Sequence, residues 1–136
     1  MALAGREADI VGISPLRPSL VDTSEFGSSI ATSGDRIETQ LDWIREAAGP
    51  RFEGLELSVT IGHLKVTDDP DAELGRLASE WGSTPGDIAR SLHTLVGSRD
   101  EIGAVIEERR ETLGISYVIF SSLVLDDVGP IVANLA

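Results

Sequence analysis

Few side chains in this 136-residue sequence can do chemistry, and they fall at telling places. There are two histidines. His63 lies within the apolar run Ile61-Gly62-His63-Leu64-Lys65, and His93 stands just ahead of Thr94-Leu95-Val96. An imidazole titrates near neutral pH and can act as a general base, so His63 is a candidate for proton transfer. A histidine inside a strand also commonly packs or lies on the surface, and the sequence assigns neither one an acidic partner. Ser14 closes the run Ala8–Ile13 with a hydroxyl that can donate a hydrogen bond, and Arg17 follows with a guanidinium that can pair with phosphate. The competing reading is that Ser14-Pro15 only ends a strand and Arg17 is solvated. Asp68-Asp69 looks like a metal pair, but Asp69 before Pro70 is explained as a helix cap, so no metal site is expected. Glu107-Glu108-Arg109-Arg110-Glu111 has the spacing of a solvated helix face with i,i+4 pairs, and Asp126-Asp127 suits the first turn of a helix. No phosphate-binding glycine fingerprint and no Gly-x-Ser-x-Gly elbow occurs.

These groups must be positioned by a scaffold, and its class follows from composition. Hydrophobic residues make up 41% and charged residues 25% of the chain, a globular balance. The formal charge of −12 repels phosphate backbones and anionic lipid, so neither nucleic acid nor membrane is an expected partner. The absence of cysteine excludes a disulfide framework, a thiolate metal site and a catalytic thiol. The opening MALAGREAD has neither the basic nor the apolar region of a secretory signal, and no apolar run has spanning length, so a cytoplasmic location is expected.

The pattern along the chain alternates strands and helices. Ala8–Ile13 reads as a buried parallel strand, and residues 14–34, rich in Ser, Pro, Thr and Gly, as a long loop. A helix follows, capped by Asp35 with Glu38 three positions on; it buries Ile37, Leu41, Ile44 and Ala48 and stops at Gly49-Pro50. Leu55 through Val66 alternates as one strand. Asp69-Pro70 starts a helix with Leu74, Leu77 and Trp81 inward, and Thr84-Pro85 starts a shorter one reaching about Leu92. Thr94–Val96 is the third strand. Ser98 and Glu101 form a capping box ahead of a helix burying Ile102, Val105, Ile106 and Leu113. Ile115–Phe120 is the fourth strand, and Val124–Leu135 a last helix with Val128, Ile131, Val132 and Leu135 on one side, although Pro130 should kink or delay it. Four β/α units in succession imply a parallel α/β sheet in a single domain spanning 1–136. Periodicity leaves open whether it is a doubly wound sheet or half of an eight-fold barrel.

Several segments, in order, resemble the luciferase-like monooxygenase family. They are Ala2–Ile13, Gln40–Gly49, Leu55–Val59, Val66–Asp69, His93–Ile102 and Leu113–Val118. The series is most similar to the subgroup that uses coenzyme F-420, the 8-hydroxy-5-deazaflavin, while FMN-using relatives share the scaffold. The resemblance implies the C-terminal half of a (β/α)8 TIM barrel, strands five to eight. A whole barrel needs about 250 residues. It implies an oxidoreductase that passes hydride between the reduced cofactor and an organic substrate of unknown identity. By the same resemblance, Ile13, Ser14 and Arg17 lie near the cofactor's phosphate or phospholactate tail. The first four strands and the family's glycine-rich turn are missing from these residues, so the chain is expected to be an incomplete catalyst. The alternative is a non-catalytic half-barrel module that forms a homodimer through its exposed sheet edges.

Overall fold

A computed structural model describes residues 2–14 and 36–135. Helix α1 (Ala2–Glu7) leads into strand β1 (Ile10–Ile13), and helix α2 (Ile37–Ala48) runs into a 3-10 segment (Gly49–Gly54). Strands β2 (Glu56–Thr60) and β3 (His63–Val66) follow, then helices α3 (Pro70–Trp81) and α4 (Pro85–Arg90). Strand β4 (Thr94–Gly97), helix α5 (Arg99–Leu113), strand β5 (Ile115–Ile119), a short 3-10 turn (Ser122–Val124) and helix α6 (Leu125–Leu135) complete the order. Among the described residues no helix is long and apolar enough to cross a membrane.

Helix boundaries follow local chemistry. Asp69 Oδ1 accepts from Ala72 N at 3.1 Å with Pro70 at the first helical position, and Thr84 Oγ1 accepts from Asp87 N at 3.2 Å ahead of Pro85. At Ser98 the capping box is complete: Ser98 Oγ accepts from Glu101 N at 3.3 Å and Glu101 Oε2 accepts from Ser98 N at 2.8 Å. Helix α5 ends at Gly114 with φ 71°, a left-handed position that strains any residue bearing a Cβ. The expected cap Asp35 lies outside the described residues; α2 begins behind Arg36, whose side chain makes no capping bond. Pro130 sits inside α6 without ending it. The residue before it is Gly129, which lacks the Cβ that ordinarily disfavours helical backbone ahead of proline.

Among the described residues all strand pairings are parallel, as expected of an α/β chain, but they fall into two separate sheets. One has the order β1-β2-β5 and the other is β3-β4. The run 55–66, expected as one strand, breaks at Ile61-Gly62. Ile61 N donates to Ile119 O at 2.9 Å, whereas Gly62 N and His63 N both donate to His93 O at 2.8 and 3.1 Å. The chain thus leaves one ladder and enters the next within three residues. The break gives β2 to β5 and β3 to β4, so the last strand pairs beside β2 instead of following β4 in the consecutive order of a half barrel.

One core spans both ladders. Val11, Ile13, Leu57, Val59 and Ile115 from the first meet Leu95 from the second, with Leu41, Ile44, Ile102 and Ile131 from the helices. Ile44 is fully buried, and truncating it to alanine should cost about 2–5 kcal/mol. Helix α1 lies so close to α2 that a Cβ on Gly5 would meet Ala47 Cβ and Ile44 O at 3.0 Å. A smaller cluster, Leu77, Ala78 and Ile88 with Leu74, Trp81 and Val96, holds α3 and α4 against β4. Val132, expected inward, is 48% exposed.

Candidate functional site

The carboxyl ends of parallel strands are where α/β folds usually place chemistry. At the end of β1, Ile13 is buried opposite Val59 and Ser14 is exposed. Arg17, and the loop 14–34 beyond Ser14, lie outside the described residues. At the ends of β3 and β4, Thr67 N donates to Gly97 O at 2.9 Å, which ties the two strand ends together. Ser98 is committed to capping α5, and Ser121 Oγ accepts from Leu123 N at 3.3 Å. Asp68 is exposed, and among the described residues no three metal-ligating side chains converge.

Titratable geometry concentrates elsewhere, at the amino-terminal base of the β3-β4 ladder. Alternation sets the faces. Leu64 and Leu95 are paired and point to the main core, while His63 and Thr94, then Lys65 and Val96, are paired on the opposite face beneath the helices. On that face His63 Nε2 meets Glu73 Oε1 at 2.9 Å. The Trp81 ring stands edge-on to the imidazole, 5.9 Å between centroids. Glu73 and Trp81 both lie on α3, eight residues apart, on the side that covers β3. The Glu73 carboxylate also takes both arms of Arg76, Nη2 to Oε1 at 2.7 Å and Nε to Oε2 at 3.0 Å. Arg76 extends to Glu80 at 2.6 Å. Its hydrogen bonds to Glu73, aided by the charges of Arg76 and His63, hold that carboxyl down to about 2 against the opposing effect of partial burial.

The second histidine occupies a different setting across the ladder, where His63 N donates to His93 O at 3.1 Å. His93 is buried, and its Nδ1–H donates to Thr60 O at 2.8 Å, leaving Nε2 as the bare nitrogen of the neutral ring. Burial pushes its pKa below the usual histidine value, and the nearby Arg109 charge adds to that; the Thr60 carbonyl opposes both. Arg109, partly buried on α5, donates to the carbonyls of Leu92 and Ser91 at 2.9 Å each and of Thr94 at 3.3 Å. Burial brings the guanidinium down to about 10, so it remains charged at neutral pH.

The structure therefore separates the residues that the sequence marks as candidates. Ile13 and Ser14 sit at a strand's carboxyl end, and the two histidines sit at the base of the other ladder. His63 acquires a carboxylate and an aromatic wall, a combination that could orient a proton-transfer group. Its Nε2 is nonetheless occupied by a carboxylate that Arg76 also holds through two bonds, and it faces a covering helix, so the cluster ties β3 to α3. Glu73, Arg76 and Arg109 were not among the expected site residues. Two signals for them exist in the sequence: Glu73, Arg76 and Glu80 have i,i+3 and i,i+4 spacing, and Arg109 falls in phase with the inward stripe Ile102, Val105, Ile106 and Leu113. The expectation of a wholly solvated 107–111 face is corrected at Arg109. Comparison with protein-family models, with curated proteins and with solved structures finds no match to this chain.

Proposed function

We propose that this chain corresponds to strands five to eight of the luciferase-like family, with the run expected as strand six divided into β2 and β3 and the last strand paired beside β2. In this reading the Ile13–Ser14 corner, with Arg17, receives the phosphate or phospholactate tail of coenzyme F-420, or the phosphate of FMN. The cofactor supplies hydride-transfer chemistry; the protein's part is to bind and orient the tail. The reading rests on the ordered resemblance along the chain. It is supported by the parallel pairing of every described ladder and by the exposed Ser14 directly after a strand whose last residue is buried. No residue here is assigned as catalytic, and turnover requires the other half of a barrel.

The test is a fluorescence titration of the purified chain with 8-hydroxy-5-deazaflavin coenzyme and with FMN. Saturable binding without turnover, weakened about three- to tenfold by Ser14→Ala and lost with a tail-less deazaflavin, is the expected result. A folded chain that binds neither cofactor sinks the reading, and turnover by the chain alone sinks its non-catalytic part.

A second reading is favoured by one observation. Among the described residues β5 is an edge strand, and it and the turn after it expose Tyr117 (50%), Ile119 (41%) and Leu123 (92%), an apolar row. A half-barrel homodimer would cover that row. Light scattering of the eluting protein should then give twice the chain mass, and Ile119→Lys should return it to one.

A further inference from the structure

Among the described residues β1 and β5 each pair only with β2, so they are the two outer strands of the three-stranded sheet. The exposed large hydrophobics gather beside these two strands. Leu3 and Ile10 come from α1 and β1; Tyr117, Ile119, Leu123, Leu125 and Val132 come from β5 and the segments that follow it. Among the described residues Trp43 on α2 is the one other. Register and alternation put Ile10, Tyr117 and Ile119 on the face away from the buried Val11, Leu57 and Val59. On the core side of the sheet a groove of about 250 Å³ follows β5, walled by Ile106, Val118, Phe120, Val132 and Leu135. Arg110 and Ser116 line the same groove. Helix α1 lies on that side too, with Ala4 packed against the shared core.

The charges at the two edges are opposite and stand at matching heights. Glu7 ends α1 just before β1, and Arg110 lies in the last turn of α5 just before β5. Both are exposed, and neither forms an ion pair among the described residues. Leu3 and Glu7 share one side of α1 at i,i+4 spacing, and Ile106 and Arg110 share one side of α5 in the same order.

We propose that the β5 edge is occupied by the β1 edge of a second copy of this chain, with Leu3 in the groove and Glu7 against Arg110. The inference rests on the half-barrel dimer reading and deepens it by naming which edges meet. Set parallel, β1 of one copy continues the sheet of the other. Leucine then meets the apolar part of the groove, and the carboxylate meets the guanidinium one turn lower. A twofold axis repeats the contact, so each copy covers both of its edges. The exposed side chains of the two edges offer on the order of 500 Å² of apolar surface per copy, close to the apolar share of the roughly 800 Å² that each partner covers in a standard interface. Pairing β5 with β5 would leave Leu3, Ile10 and Glu7 uncovered.

The experiment is sedimentation equilibrium of the full chain over a dilution series, at about 0.15 M salt to screen the repulsion between two acidic chains. It compares the parent with Arg110→Glu, Glu7→Arg and the variant carrying both; each position is exposed, so the fold is spared. The parent should show two chains in equilibrium with one. Because the contact occurs twice per dimer, either single reversal should raise the dissociation constant about fivefold or more. Carrying both, or mixing the two single variants, should return it to within about twofold of the parent. Ile119→Lys tests the dimer reading itself, whereas the charge exchange tests which edges meet. A dimer indifferent to Glu7→Arg, or not restored by the exchange, overturns this pairing and leaves the dimer reading in place. A monomer at every concentration overturns both. Masses that grow past two chains overturn the twofold closure.

Discussion

His63 and His93 stand at the foot of the same two-stranded ladder. The peptide of one donates to the carbonyl of the other at 3.1 Å, yet their surroundings are opposites. Around His63 the partners are charged side chains from a single covering helix, and the outer ones are solvated: Arg76 is 53% and Glu80 59% exposed at the side chain. Around His93 the contacts are neutral: its ring meets the Thr60 carbonyl and its amide the Ser91 hydroxyl, while the carbonyls of Ser91 and Leu92 beside it are gathered by Arg109. The difference teaches where an ionisable group contributes to the fold. A surface cluster trades water for partners of similar strength, whereas a buried group that holds backbone carbonyls cannot be removed without orphaning them.

The largest effect should come from Arg109→Met. It preserves much of the aliphatic stem but abandons three carbonyls, and denaturant unfolding should show a loss of about 3 kcal/mol or more. A loss under about 1 kcal/mol would erase the contrast between the two regions.

Next is the acid limb set by His93. Its folded pKa lies below the ordinary 6.5, so the unfolded chain takes up the proton first. Stability is therefore fully present above that value and declines as pH falls below it. In His93→Gln, denaturation midpoints between pH 7 and 5 should flatten relative to the parent.

Glu73→Gln should cost less, about 1–2 kcal/mol at neutral pH, because its partners are partly solvated. With the carboxyl held at about 2 from an ordinary 4.5, its contribution is present above pH 4.5 and disappears as pH drops toward 2. The variant and the parent should converge there in the same denaturation assay.

Smallest is Glu80→Ala. The outer carboxylate is well exposed, and the melting temperature should be unchanged within error. A clear drop would mean that the His63 cluster acts as one network.

Much of the scaffold was legible because its signals are local. Asp69-Pro70, Thr84-Pro85 and the Ser98–Glu101 box each satisfy helix-end N–H groups within four residues, so sequence alone locates them. The break at Ile61-Gly62 was not legible, since Leu57, Val59 and Ile61 keep their alternation up to it and only the competing partners β5 and β4 create it. Strand order was hidden for the same reason: pairing is decided by tertiary contacts, not by the period of a segment. Of the site, Ile13 and Ser14 were legible as a strand end. Glu73 was not, because i,i+3 spacing alone cannot say that a histidine ten residues earlier folds beneath it. Arg109 was masked by its charged neighbours, although its phase with Ile102 and Val105 marks an inward position.

The shared acceptor at His93 O has a mechanical side. Where β2 would pass into β3, two consecutive amides converge on one oxygen. An unbroken strand spreads bending over many residues; here curvature is confined to a joint of two. The chain can thus bend sharply there while both ladders keep their registers, which is what a sheet needs in order to curl toward a second surface.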